Sequence, residues 1–182
     1  KGLFTQGMVC HETYKDDKNN WLSPEEIFTE NGKDYFKKKD PSKKVKVGPS
    51  ESMSKSKKNT IDPENIIDEY GADSVRFFIL SDSPPERDVQ WSEEGMLSSY
   101  KFIQKFWSLS ENILEISSTD KIENNEEIEI FTNQMINKVN HALEKFRYNV
   151  IIAIFHEVYS FFRKISEKNK NYGNLKKNFE KI

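Results

Sequence analysis

Apolar positions fall into two regimes along this chain. Up to about residue 61 they form short clusters separated by polar and turn-forming residues, as in strands and loops. From Asp62 onward they recur every third or fourth position, as in amphipathic helices. In the first regime residues 3–10 read as a buried strand and residues 15–20 as a polar turn ahead of Trp21-Leu22-Ser23-Pro24. Residues 33–36 and 44–47 are expected to pair as a short hairpin turning at Asp40-Pro41-Ser42. An abrupt start at Lys1-Gly2-Leu3-Phe4, already inside a strand pattern, predicts a segment of a longer protein.

Local chemistry punctuates the second regime. Asp62 stands at an N-cap and Pro63 at the first helical position, so a helix starts there, with its N-terminal amides expected to face back toward the preceding loop. Gly71 reads as its stop. Val75, Phe78 and Ile79 then mark a second helix over residues 72–80, which Ser83-Pro84-Pro85 ends. Residues 86–91 are expected to be a charged loop carrying Trp91, and Ser92-Glu93-Glu94 caps a long third helix.

One face of that helix is Met96, Tyr100, Ile103, Phe106 or Trp107, and Ile113. The next stripe is Ile128, Phe131, Met135, Val139, Leu143 and Phe146, and the last, with Asn149 as its expected cap, is Val150, Ile151, Ile154, Phe155, Val158, Phe161, Phe162 and Ile165. Such stripes are core-facing sides of an antiparallel helix bundle. Residues 117–125 form a polar linker. These breaks divide the chain into residues 1–61, 62–116 and 117–182, with helix dominant overall.

Charge changes the picture locally. The 28 basic and 30 acidic side chains among 182 residues leave a net charge of −2, which argues against a generic nucleic-acid coat. Residues 33–58 are nevertheless rich in lysine, and a solvated charge run is the simpler account of Lys37-Lys38-Lys39. Cys10 is the single cysteine, so no internal disulfide forms and a cytoplasmic setting is expected. No apolar run approaches the roughly 20 residues of a membrane span. His11, His141 and His156 are dispersed without metal-ligand spacing, so no metal site is expected, and neither a dinucleotide fingerprint nor a P-loop occurs.

The chemistry concentrates in Ser52-Met53-Ser54-Lys55-Ser56-Lys57-Lys58-Asn59, entered through Gly48-Pro49-Ser50. Lysines among small hydroxyl residues make no core element. Either they form a solvated cluster, or they meet phosphate, for which an ammonium is a compact charge with three donors. Lys55 is the candidate for that contact, with Ser54 and Ser56 as hydroxyl donors and Met53 as an apolar anchor.

The run from Met53 to Gly95 resembles the signature loop and stem-contact region of the class I aminoacyl-tRNA synthetases, and within them the leucyl-tRNA synthetases. Residues 5–9 with His11-Glu12-Thr13-Tyr14 are similar to the strand ahead of that loop, and residues 146–154 to the start of a helix in the tRNA-binding bundle. The resemblance spans about residues 3–164. Relatives for valine, isoleucine and methionine usually follow the loop with Leu-Gly-Asn, where this chain has Lys57-Lys58-Asn59. The family loop reads Lys-Met-Ser-Lys-Ser; Ser52 replaces its first lysine and Lys55 matches its second.

The resemblance implies an α/β remnant, the end of a Rossmann-like catalytic domain with a short β hairpin, followed by a mainly α-helical bundle. It further implies a leucine–tRNA ligase that activates leucine with ATP, accompanied by Mg2+, and transfers it to tRNA(Leu). A monomer is expected. Residues 52–56, Ser52, Met53, Ser54, Lys55 and Ser56, would then be the ATP loop, with Lys55 catalytic, Lys57 and Lys58 adding positive field, and Arg76 and Trp91 supporting from beneath. The family's histidine-bearing ATP motif, amino-acid pocket and editing domain are not in these 182 residues. Alternatives are a stand-alone tRNA-binding module, or a synthetase for isoleucine or valine.

Overall fold

The computed structural model describes residues 3–29, 34–115, 124–168 and 173–182. Short sheets come first and helices follow, 54% helix against 18% strand, so the α-dominant expectation holds.

Strand β1 (Val9–Lys15) organises the first part. Strand β6 (Lys46–Ser52) lies antiparallel along one edge. The other edge takes β7 (Val89–Gln90), parallel, at the start of β1, and β2 (Trp21–Leu22), antiparallel, at its end. β1 begins at Val9, six residues later than the apolar run suggests: Leu3 is 93% exposed. The amides that would extend the ladder are taken elsewhere, since Gly7 N donates to the Pro85 carbonyl and Met8 N to Asp88 Oδ1, both at 2.8 Å. The same ties make residues 89–90 a strand rather than loop.

The register of β1 and β6 slips between His11 and Thr13, with one extra residue on the β6 side at Pro49-Ser50. Burial does not alternate along β1: Cys10 and His11 are both buried, as are Thr13 and Tyr14, so both faces of the strand are covered.

A separate sheet joins β3 (Ile27–Thr29), β4 (Tyr35–Lys37) and β5 (Asp40–Lys44) in that order. The expected hairpin exists, but it turns at Lys38-Lys39, and Asp40-Pro41-Ser42 lies within β5. Proline is tolerated there because β5 is an edge strand whose outward amides need no partner. Val47 belongs to β6, and residue 33 of the expected hairpin lies outside the described residues. Tyr14, Leu22, Ile27 and Val45 form the core between these strands.

Helix α1 (Pro63–Tyr70) starts as its sequence dictates, with the Asp62 carboxylate accepting from Glu64 N at 3.0 Å. Gly71, at φ 79°, ends it in a conformation that disfavours other residues, and α2 (Ala72–Ser81) follows. Ser92 caps α3 (Glu93–Leu114) by accepting from Gly95 N at 3.1 Å. Phe78, Val89 and Met96 pack these helices onto β7.

The bundle core is built from α3, α4 (Glu126–Glu144), α5 (Tyr148–Lys168) and α6 (Leu175–Phe179). Ile113, Ile128, Val158, Phe162 and Leu175 are fully enclosed there. Three positions of the expected stripes are exposed, Leu143 and Phe146 at 47% each and Val150 at 41%; they flank the break where α4 ends before Phe146, which sits at φ 55°. Asn149 is not a cap; α5 begins at Tyr148, and the Asn149 Oδ1 is buried without a protein partner. Most of the expected 117–125 linker, residues 117–123, lies outside the described residues. At its far end Asn125 N donates to Asn174 Oδ1 at 3.2 Å and Asn174 Nδ2 to the Asn125 carbonyl at 2.9 Å, which clasps the start of α4 to the start of α6.

Candidate functional site

The basic loop leaves the end of β6 and returns toward β1 before α1. Ser52, paired opposite Cys10 in the ladder, is exposed, with its Oγ 3.9 Å from the Cys10 Sγ. Met53 donates its amide to the Val9 carbonyl at 3.1 Å, but its side chain is only half-buried. The apolar anchor expected of Met53 is thus mainly a backbone one.

The loop closes on itself over a few residues. Lys58 N meets the Lys55 carbonyl at 3.3 Å, Lys57 N meets Ser54 Oγ at 3.4 Å, and the Ser54 and Ser56 hydroxyls lie 3.3 Å apart. Lys58 sits at φ 55°, in the left-handed region. Asn59, which the sequence does not single out, is fully buried, accepts from Ser54 N at 2.9 Å and donates to the carbonyls of His11 and Glu51. Its burial depends on a strand 48 residues away.

The three lysines have different circumstances. Lys57 is ion-paired with Glu51, and Lys58 lies 3.7 Å from Glu26. Lys55 has no ion pair among the described residues and is exposed at the turn. Lys57 and Lys58 therefore spend much of their field on carboxylates, contrary to the expectation that they simply add to it. The start of α1 likewise offers little to an anion: the Asp62 carboxylate occupies its first free amide, that of Glu64, and Glu64 adds a second negative charge.

Trp91, on the β7 side of β1, donates its amide to the Cys10 carbonyl at 2.8 Å and packs its ring edge-on against Phe78 at 5.4 Å. Arg76 does not join it; it pairs with Asp73 on the exposed face of α2. His11 is buried with its Nδ1 unpartnered, and burial pushes its pKa below the ordinary value against the opposing pull of Glu12 and Glu93.

An ammonium and two hydroxyls presented at a pinned turn are a donor set for a phosphate anion. They do not fit Mg2+, which takes oxygen ligands, chiefly carboxylates. Glu51, the loop's carboxylate, is engaged by Lys57, and no cluster of three metal-ligating side chains occurs among the described residues.

Residues 45–92 match the family model of tRNA synthetases class I (I, L, M and V). The leucine–tRNA ligase of Rickettsia bellii is 45% identical over 160 residues, covering 88% of this chain and 19% of that protein. That of Bartonella quintana is 47% identical over 164 residues, covering 86% and 18%. Among solved structures, the ternary LeuRS–tRNA–LeuAMS complex of Agrobacterium radiobacter superposes with a TM-score of 0.55 and 26% identity, over 69% of this chain and 18% of that one.

Residues 45–92 thus match the class I tRNA synthetase domain, and the similarity to members of that class extends over most of the chain. Over 86–88% of its length it is similar to leucine–tRNA ligases, and it spans under a fifth of the length of those relatives.

Proposed function

We propose that this segment supplies the ATP-phosphate loop and part of the tRNA-holding helices of a leucine–tRNA ligase. The activity is activation of leucine by ATP to leucyl-adenylate and pyrophosphate, followed by transfer of the leucyl group to tRNA(Leu). The observation that carries this reading is Lys55, an exposed ammonium with no ion pair among the described residues, on a turn whose other two lysines are both ion-paired.

As the leucine carboxylate attacks the α-phosphate, the bond to the pyrophosphate oxygen breaks and negative charge builds on the departing group. Lys55 donates to that charge, and Ser54 and Ser56 supply hydroxyls beside it. Ser52 contributes a hydroxyl where the family loop carries a lysine, so Lys55 bears the main charge interaction of the loop. The bundle of α3 to α6 holds the tRNA body. No helix among the described residues is long and apolar enough to cross a membrane, and we assign the ligase to the cytoplasm as a monomer.

Lys55→Ala within an intact leucine–tRNA ligase tests the reading. Losing one preorganised donor costs about 2.7–4 kcal/mol of transition-state stabilisation, so leucine-dependent ATP–pyrophosphate exchange is expected to slow about a hundredfold or more. An unchanged rate overturns it.

A further inference from the structure

We propose that Asn59 is a positioning residue for this loop, acting through Lys55; the inference rests on the phosphate-loop reading above. Asn59 is fully enclosed beneath a loop that is otherwise largely exposed, and its carboxamide bonds three separate segments. Oδ1 accepts from Ser54 N at 2.9 Å, while Nδ2 donates to the His11 carbonyl at 3.2 Å and the Glu51 carbonyl at 3.1 Å. One donor amide facing an acceptor, and two carbonyls facing the donors, allow a single orientation of the group.

His11 and Glu51 are ladder partners, the last pair before β1 and β6 slip register. Asn59 therefore places its two donor hydrogens on both carbonyls of that pair, as a strand amide would where regular pairing lapses. Its oxygen meanwhile holds the amide of the residue immediately before Lys55. The six-residue stretch from Ser54 to Asn59 becomes a ring closed onto the sheet, and the height and direction of Lys55 are set by β1 rather than by the loop's own propensities. Lys58, at φ 55°, makes the reversal that brings the Asn59 side chain inward.

The test is a double-mutant cycle in an intact leucine–tRNA ligase carrying this segment, read by ATP–pyrophosphate exchange. Asn59→Ala is expected to lower kcat/KM for ATP at least about tenfold while the leucine KM changes by less than about twofold. On a Lys55→Ala background the same change is expected to cost less than about twofold, because the group being positioned is gone.

A full tenfold loss on both backgrounds would show a merely structural role and overturn the inference while leaving the loop reading intact. Lys55→Ala without effect would overturn both. Asn59→Asp covers the case in which Asn59→Ala does not fold: it keeps volume and the Ser54 bond but sets a carboxylate against two carbonyls. It is expected to give the same non-additive loss and faster tryptic cleavage after Lys55, Lys57 and Lys58. Unchanged cleavage together with unchanged kinetics for Asn59→Asp would also overturn the inference.

Discussion

The Glu51 carboxylate and the Lys57 ammonium, six residues apart, form an ion pair that bridges the end of β6 and the far limb of the basic loop. Both groups are about a third exposed, with side-chain accessibilities of 35% and 37%, so the pair adds little stability; exposed pairs contribute about 0.2–1 kcal/mol. Its larger effect is electrostatic, because it withdraws one of three lysine charges from the site.

Glu51→Gln is accordingly expected to leave the thermal midpoint nearly unchanged and to lower the ATP KM about two- to threefold at low ionic strength, with the gain fading as salt is added. Exchange kinetics at two salt concentrations check this. An ATP KM indifferent to the substitution would show that the Lys57 charge is not felt by the nucleotide.

Lys58 carries a backbone conformation that costs a side-chain-bearing residue about 1–2 kcal/mol and costs glycine nothing. It stands where the related Leu-Gly-Asn loops have their glycine. Part of any gain from glycine is offset by its greater freedom in the unfolded chain, about 0.5–1 kcal/mol. Lys58→Gly is therefore expected to be neutral to about 1 kcal/mol stabilising, and Lys58→Val, β-branched, to be the least stable of the three. Urea midpoints rank them; a valine variant as stable as glycine would contradict the assigned conformation.

Much of the fold was legible because its signals are local. Asp62-Pro63, Gly71 and Ser92 act within one helical turn, and each boundary falls where those residues put it. The basic loop was legible as a cluster of lysine and serine. The long-range features were not. Asn59 looks like an ordinary loop residue until His11 is placed beside it, and the pairing states of Lys57 and Lys58 depend on Glu51 and Glu26. The apolar residues 3–8 look like strand, yet the Pro85 carbonyl and the Asp88 carboxylate claim the amides at 7 and 8. Asn149 has the chemistry of a cap, but α5 starts one residue earlier and leaves it inside the helix.

Asp16 closes the turn between β1 and β2. It accepts from Lys37 Nζ at 3.0 Å, Asn20 N at 2.8 Å, Lys18 N at 2.9 Å and Asn20 Nδ2 at 3.3 Å. The Lys37 ammonium first, and then the Asn20 amide, hold its carboxyl well below the usual carboxylate range. A folded-state pKa below the unfolded one means that the unfolded chain binds the proton more readily. The stabilisation is thus complete above the unfolded value, roughly 3.9, and is lost as pH falls through the folded one. Lys37 moves oppositely, raised first by its bond to Asp16, so its share fades only as pH climbs beyond roughly 10.4. The melting gap between the wild type and Asp16→Asn is expected to be flat across neutral pH and to narrow progressively below about pH 4. A gap that is undiminished at pH 2 would mean that Asp16 acts through shape rather than charge.

Gly7 fixes the geometry on the other side of β1. Its amide bonds the Pro85 carbonyl, and a Cβ built at this position would run into the backbone carbonyl of Arg87. Backbone cannot move aside as a flexible side chain does, so Gly7→Ala must displace the 84–88 turn. That turn leads directly into β7, whose Val89 and Gln90 pair with Val9 and Cys10, and then into Trp91, whose amide bonds the Cys10 carbonyl. The expected loss is about 1–3 kcal/mol, the ordinary cost of forcing atoms into occupied space. Asp88→Ala, which removes only the 2.8 Å bond to Met8 N, is expected to cost about 0.5–1.5 kcal/mol. Amide hydrogen exchange separates the two cases. Gly7→Ala should lower protection at Val89 and Trp91, whereas Asp88→Ala should leave those amides protected. Equal protection in both variants would place the steric strain elsewhere than in the turn feeding β7.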